Sequence, residues 1–396
     1  MARFTIPRDI YFGEGAMEAL QKLDGKRALL VTGGSSMQRL GFLEQATAYL
    51  KKAGMETALF DGVEPDPSVE TVLRGAKRML DFRPDWIVAI GGGSAIDAAK
   101  AMWAFYEYPD TDFMELTIPF RFPTLRKKAR FAAIPSTSGT ASEVTAFSVI
   151  TDYQSGVKYP LADCNITPDV AIVDPALACA MPAHLAALTG LDALTHAVEA
   201  YVSTLHNDFT DPLAMQAIAT VFACLEASVG GDRTARAAMH NAQCLAGMAF
   251  SNALLGITHS MAHKTGAAFS GGHIVHGAAN AIYLPKVIAF NAKEPAAKAR
   301  YAKIAARLGI AASDDDDAVA ALIARIRALS ESLSVPHSIR AYEGGFVTED
   351  EFLEKVDAIS ALAVSDACTG SNPRPIDPQQ MRELLLACYY DADVHI

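Results

Sequence analysis

Trp86-Ile-Val-Ala-Ile-Gly-Gly-Gly-Ser-Ala-Ile-Asp-Ala-Ala-Lys100 decides how the first half of this chain folds. Five apolar residues, Trp86 to Ile90, read as a buried strand, and Gly91-Gly92-Gly93-Ser94 leads directly into a helix over 95–104. Such a junction bares backbone N–H groups at a helix N-terminus, where the dipole favours an anion. The spacing Gly91, Gly93, Ile96 lacks the third glycine of G-x-G-x-x-G, and no Gly-Lys-Ser/Thr of a P-loop follows. Taken alone, the stretch reads equally well as a tight turn needing glycine dihedrals. Asp97 and Lys100 on the next turns are not explained that way.

The same alternation extends outward on both sides. Residues 27–32 read as a strand ending in Gly33-Gly34-Ser35-Ser36, 41–53 as a helix, and 57–60 as a strand. Ser68 is an N-cap for a helix carrying Val69, Val72, Leu73 and Ala76 at helical spacing. Further strands are expected at 131–134, 144–151 and 170–173. This pattern predicts an α/β domain with a Rossmann-like parallel sheet over residues 1–180. Beyond Pro182 the texture changes to long Ala- and Leu-rich segments (183–204, 212–228, 233–254, 295–308, 318–333, 349–360 and 378–390), which predict an all-α domain over 181–396. The acidic run Asp314 to Asp317 is expected in a solvated loop.

Composition narrows the function classes. A length of 396 residues suits two domains. The net charge of -11 disfavours nucleic acid or an anionic membrane as partner, since both are held chiefly by Lys and Arg. Six widely spaced cysteines without a C-x-x-C pair argue against a disulfide framework or a zinc knuckle and for a reducing compartment. The first ten residues carry charges and a proline where a signal peptide needs an apolar run, and no uninterrupted apolar stretch approaches roughly 20 residues. A soluble cytoplasmic protein is expected.

Chemistry concentrates between His259 and His276, a stretch holding four of the ten histidines. That density points to a metal or a proton-transfer site. His259 and His263 are spaced i, i+4, and His273 and His276 follow a Phe-Ser-Gly-Gly break. Elsewhere, Asp192 and His196 repeat the i, i+4 spacing among Leu188, Leu191, Leu194, Ala197 and Val198. A carboxylate in such surroundings needs a partner, either a hydrogen bond within the helix or a shared cation. Oxygen and nitrogen ligands without thiolate suit Fe(II), Zn(II), Mn(II) or Co(II). Four protein ligands on tetrahedral zinc would leave no open position, whereas a metal taking five or six ligands still accepts substrate.

The chain resembles the iron-containing (group III) alcohol dehydrogenases. The resemblance rests on Gly91 to Lys100, on Pro135-Ser-Thr-Ser-Gly-Thr-Ala-Ser-Glu-Val-Thr145, and on Gly190 to Ala200 with Asp192 and His196. It rests further on His259-Ser-Met-Ala-His-Lys264, His276-Gly-Ala-Ala-Asn-Ala281 and Asn372-Pro-Arg374. These motifs come in the family's order and span nearly the whole chain. The resemblance implies an N-terminal dinucleotide-binding domain, a C-terminal helical domain and a metal in the cleft between them.

Carried over residue by residue, the metal ligands implied are Asp192, His196, His259 and His276, with His263 in proton handling. Many relatives place the fourth ligand where this chain has His273. Here the Gly-x-x-Asn signature follows His276, so Ser270-Gly271-Gly272 reads as a short insertion, with His273 the fallback ligand. Gly92, Gly93, Ser94 and Asp97 are implied along the pyrophosphate, and Thr137, Thr140 and Lys158 nearer the nicotinamide and its ribose. NAD-preferring relatives carry aspartate after the first strand; here Gly33, Gly34, Ser35 and Ser36 offer donors to a 2′-phosphate, with Arg39 nearby. NADP(H) is therefore favoured over NAD(H), and Fe(II) is the expected metal with Zn(II) the alternative.

The activity implied is metal-dependent, NAD(P)-linked alcohol dehydrogenase or aldehyde reductase chemistry on a small primary alcohol or aldehyde, in a homodimer. A dehydroquinate-synthase-like or glycerol-dehydrogenase-like enzyme of the same fold, acting on a polyol or phosphorylated substrate, is the alternative. The Ala-, Met- and Phe-rich surroundings of the histidines suit the weakly charged substrate better.

Overall fold

A computed structural model describes residues 3–154 and 157–396. The chain divides into two compact units, Met1–Pro182 and Ala183–Ile396.

The first unit contains strands β1 (Asp9–Phe12), β2 (Arg27–Gly33), β3 (Glu56–Val63), β4 (Trp86–Gly91), β5 (Arg130–Pro135), β6 (Phe147–Asp152), β7 (Val157–Ala162) and β8 (Val170–Val173). Its helices are α1 (Ser36–Arg39), α2 (Phe42–Lys52), α3 (Val69–Phe82), α4 (Gly93–Glu107), α5 (Phe113–Leu116) and α6 (Pro175–Cys179). Six strands form one parallel sheet in the order β1-β8-β5-β4-β2-β3. Its inner strands read as continuous apolar runs because both faces are covered. On β2, Leu29 and Val31 pack with Val72 and Met79 of α3 and Met102 and Trp103 of α4. Ala28 and Leu30 point the other way, into a cluster with Leu43 and Leu50 of α2. Ser68 caps α3 as its sequence requires, its Oγ accepting from the N–H of Thr71 at 3.1 Å.

Residues 144–151 do not join the parallel sheet. β6 instead pairs antiparallel with β7 as a separate two-stranded hairpin. Pro160 interrupts β7 and cannot donate to a ladder, which restricts it to such an edge position. Strand winding reverses between β2 and β4: the chain runs out from β2 to β3, then returns past β2 to β4. In open parallel sheets the crevice at the carboxyl ends of such a pair is where ligands bind. Both strands end in glycine there.

The second unit is built from α7 (Ala183–Val202), α8 (Thr210–Val229), α9 (Arg233–Ala253), α10 (Ile257–Thr265), α11 (His276–Asn291), α12 (Pro295–Arg307), α13 (Asp315–Ser332), α14 (Glu349–Val364) and α15 (Pro378–Tyr390). α7 is the central element, packed against α8, α9 and α11. Two glycines allow that closeness: a Cβ on Gly190 would lie 2.2 Å from the Leu225 side chain of α8, and one on Gly277 would lie 2.2 Å from the carbonyl oxygen of Leu188. α8 is long and apolar enough to match a membrane span, with mean hydropathy 1.5 and about a third of it buried, and it packs one face against α7 and α9.

The acidic run is not a loop. Asp314 caps α13, accepting from the N–H of Asp317, and Asp315, Asp316 and Asp317 form its first turn. Carboxylates are stabilised there by the positive end of the helix dipole, which the reading as a solvated charge run overlooked.

Candidate active site

In the first unit the glycine turn opens α4 with Gly92 as N-cap and no side chain capping the exposed N–H groups. Gly91 has φ 150°, a conformation that favours glycine. A Cβ on Gly93 would lie 2.8 Å from Thr140 Oγ1, and one on Gly92 would lie 3.4 Å from Thr137 Cγ2. Thr137 and Thr140 thus wall the turn, and the uncapped N–H groups form a cradle for an anion. Thr32 Oγ1 donates to the carbonyl of Ile90 at 2.8 Å, tying the ends of β2 and β4 together. Gly33, Gly34 and Ser35 therefore lie in the same crevice as Gly92, Gly93 and Ser94. Gly34 has φ 57° and open space around it, and Arg39 is exposed on α1.

Asp97 accepts from the N–H of Val149 through Oδ2 at 3.0 Å, while its Oδ1 has no hydrogen-bond partner among the described residues. Burial raises its carboxyl pKa, opposed by the nearby Lys100. An acceptor of this kind suits a ligand hydroxyl or amide and would repel phosphate. Lys100 turns away from the glycine turn. Its Nζ donates to the carbonyls of Thr145 and Phe147, each at 2.7 Å, and burial depresses its pKa to about 8 against the pull of Asp97 and Glu143. Lys158 on β7 forms an ion pair with Asp66 at 2.8 Å.

In the second unit, α7 carries Asp192 and His196, α10 carries His259 and His263, and His276 is the first residue of α11. The ligand atoms of Asp192, His259 and His276 all lie within 4.8 Å of one another. Asp192 Oδ1 is 3.9 Å from His259 Nε2 and 3.7 Å from His276 Nε2. The amide Nδ2 of Asn280, one turn beyond His276, points among all three at 2.8, 3.1 and 3.2 Å. With two hydrogens facing three acceptors, it occupies ground that a cation satisfies better. The Oδ1 of Asn280 is buried with no hydrogen-bond partner among the described residues. These donor atoms fit a divalent metal of the harder or borderline kind.

His196 stacks on His259, ring centroids 4.5 Å apart, with Nδ1 3.9 Å from Asp192 Oδ2; it borders the cluster without joining the convergent three. Burial pushes the Asp192 carboxyl pKa up, but the imidazoles of His196, His276 and His259 and the Asn280 hydrogen bond more than offset this, leaving it below the ordinary carboxylate range. His259 titrates well below the usual histidine value because it is buried and lies near His196 and His276. Neutral imidazole is the form that ligates metal. His273 is exposed at the Gly271-Gly272 break, and its Nε2 lies over Gly266.

His263 stacks parallel to His276 at 5.5 Å, and its Nδ1 is 3.3 Å from Asp366 Oδ2. Lys264 also pairs with Asp366, at 2.9 Å. Three residues that the sequence reading passed over complete the surroundings: Asn280, Asp366 and Glu199. Glu199 could have been found by spacing, since 192, 196 and 199 fall on one face of α7. Asn280 lay in the noted Gly-x-x-Asn signature. Asp366 is 103 positions from His263, and nothing local marks it.

A parallel-sheet unit with an anion-binding glycine turn at its switch point, joined to a helical unit with a buried carboxylate–histidine cluster, defines a class of metal-dependent nicotinamide oxidoreductases. The family model described as iron-containing alcohol dehydrogenase matches residues 7–175, and that for the C-terminal part of the Fe-containing alcohol dehydrogenase family matches residues 186–389. The chain belongs to the iron-containing alcohol dehydrogenase family.

It is 58% identical over 394 residues, covering 100% of both chains, to an NADPH-dependent butanol dehydrogenase of Clostridium saccharobutylicum. It is 44% identical to the bifunctional aldehyde-alcohol dehydrogenase AdhE of Escherichia coli K12, matching 98% of this chain but 46% of that longer protein. Among solved structures it is similar to an iron-containing alcohol dehydrogenase from Thermococcus thioreducens (TM-score 0.89, 38% identity, 98% and 100% of the two chains). A 1,3-propanediol oxidoreductase is similarly close (TM-score 0.90, 34% identity, 98% and 100%). The chain is an alcohol dehydrogenase, and the lyase and polyol alternatives are not favoured.

Proposed function

We propose that this chain reversibly interconverts small primary alcohols and aldehydes with NADP(H), using a divalent metal, Fe(II) in the family's manner, held by Asp192, His196, His259 and His276. The observation that carries the reading is the convergence of Asp192 Oδ1, His259 Nε2 and His276 Nε2 on the amide of Asn280. When bound, the cation supplies Lewis acidity and the nicotinamide supplies a hydride donor or acceptor. Asp192 brings negative charge to a group of otherwise neutral ligands. His263, with Nδ1 engaged by Asp366, has Nε2 for passing the alcohol proton towards solvent.

In the first unit, the α4 N-terminus at Gly92 to Ser94 would hold the pyrophosphate, with Thr137 and Thr140 beside it. Asp97 would accept a hydrogen bond from the cofactor, and Lys158 would need to leave Asp66 to reach it. NADP(H) is supported by the absence of a carboxylate in Gly33-Gly34-Ser35-Ser36 and by the NADPH dependence in the name of the 58%-identical relative. That relative's name also supports a short-chain alcohol.

A homodimer is supported by β1, an edge strand of the sheet whose Phe12 is 72% exposed. A cytoplasmic setting is supported by six free cysteines. The test is turnover of a panel of short alcohols and aldehydes with Fe(II) or Zn(II), followed at the reduced-cofactor absorbance with NADPH and with NADH. Higher kcat/KM with NADPH is expected; a clear NADH preference overturns the cofactor assignment, and metal-independent turnover overturns the site.

A further inference from the structure

The α7 face that carries Asp192 and His196 continues to Glu199, which is 3% exposed. No lysine or arginine among the described residues pairs with it. Three donors meet its carboxylate instead: the N–H of Gly256 at 3.0 Å and His259 Nδ1 at 2.6 Å on Oε2, and the N–H of Thr258 at 2.7 Å on Oε1. Gly256 is the N-cap of α10 and has no side chain to cap with. Glu199 therefore supplies the missing cap from another helix, and it does so against the helix's positive end. A Cβ at residue 256 would lie 2.8 Å from Glu199 Oε1, so the close approach depends on glycine there.

The consequence for His259 is a choice of tautomer. Both Glu199 oxygens already accept backbone N–H groups, and Oε2 faces Nδ1 as an acceptor as well; this places the ring proton on Nδ1 and leaves Nε2 to present its lone pair to the cluster. Asn280 Nδ2, a donor, lies 3.1 Å from that same Nε2, which fits the same proton placement from the opposite side of the ring. We propose that Glu199 is a positioning residue for the metal centre: it fixes His259 as the Nδ1–H tautomer and anchors the start of α10, so that Nε2 is held ready to ligate. The inference rests on His259 being a ligand. Carboxylates behind ligating histidines typically raise metal affinity 10- to 100-fold.

The test compares full-length wild type, Glu199→Gln, Glu199→Asp and His259→Ala, with Zn(II) affinity measured by chelator competition and imidazole protonation by 15N NMR. Glutamine keeps the size but has one acceptor oxygen: with that oxygen on the Thr258 N–H it turns an NH2 towards both Nδ1 and the Gly256 N–H, and so favours the wrong tautomer and loses one cap bond. Zn(II) affinity is expected to fall in the order Glu, Asp, Gln, with Gln weaker by about 10- to 100-fold. A packing role alone gives the other order, with Gln near wild type and Asp worse, and that order overturns the proposal. The wild-type spectrum decides even where a variant fails to fold: His259 protonated at Nδ1 in the metal-free protein supports the proposal, and protonation at Nε2 overturns it. Undiminished metal binding by His259→Ala would instead overturn the ligand assignment beneath it.

Discussion

Replacing Gly277 by alanine tests the packing that holds the histidine cluster together. Gly277 follows His276 at the start of α11, and a methyl there would sit 2.2 Å from the carbonyl oxygen of Leu188 and 2.8 Å from its carbon. Both are backbone atoms of α7, so no rotamer change relieves the overlap. The two helices must part by on the order of 1 Å to recover ordinary contact distances. They also carry Asp192 and His276, whose ligand atoms are 3.7 Å apart, while metal–ligand distances tolerate only about 0.2 Å of error.

Overpacking of this kind costs about 1–3 kcal/mol, which in a body of this size lowers Tm by roughly 2–12 °C. Calorimetry of the metal-free protein reads the first effect, and chelator competition reads the second. Gly190→Ala is the control, because its methyl would meet only the movable side chain of Leu225; it should lose stability with little loss of metal affinity. Wild-type metal affinity in Gly277→Ala would refute the view that the α7–α11 contact sets the site's geometry.

Two further substitutions separate the units' contributions. Gly93→Val sets a branched side chain against Thr140, which would already meet a Cβ at 2.8 Å; NADPH binding by fluorescence titration should weaken at least about tenfold, equivalent to roughly 1.4 kcal/mol, with metal content unchanged, and undiminished binding would remove this turn from the cofactor site. Asp366→Asn should destabilise the protein in a pH-dependent way. Burial pushes the Asp366 carboxyl up, but His263 and Lys264 outweigh it and hold it below the ordinary range. Because the folded value lies below the unfolded one, the stabilisation is complete above about pH 5 and is lost as the pH falls through the unfolded value of about 4 towards the folded one. The Tm difference between wild type and variant should be steady from neutral pH to about 5 and shrink in stronger acid; a difference independent of pH contradicts the ion-pair account.

Much of the fold was legible because its signals are local. Trp86 to Ile90, the Ser68 cap and the helical periods after Pro182 each specify an element from a few neighbouring residues. β1 and β7 escaped because Asp9-Ile-Tyr-Phe and Val-Lys-Tyr-Pro are short and half-exposed at sheet margins, where pairing with distant chain decides the conformation. Asp314 to Asp317 was misread because charge was weighed without the helix end it caps.

At the candidate site, spacing exposed the Asp192–His196 and His259–His263 pairs. It could not show that Lys100 turns inward to carbonyls, that Lys158 pairs with Asp66, or that Asp366 backs His263. Those contacts join residues 45 to 103 positions apart, through packing that no local pattern encodes. His273 and His276 were separable in sequence only by the signature after His276; in the fold one is exposed and the other faces Asp192.

The most direct test of the metal centre is therefore metal stoichiometry in His276→Ala and His273→Ala, prepared side by side with wild type and quantified by elemental analysis. One tightly held metal per chain is expected in wild type and in His273→Ala, and loss of it in His276→Ala. Retention by His276→Ala together with loss from His273→Ala would contradict the site built on Asp192, His259 and His276.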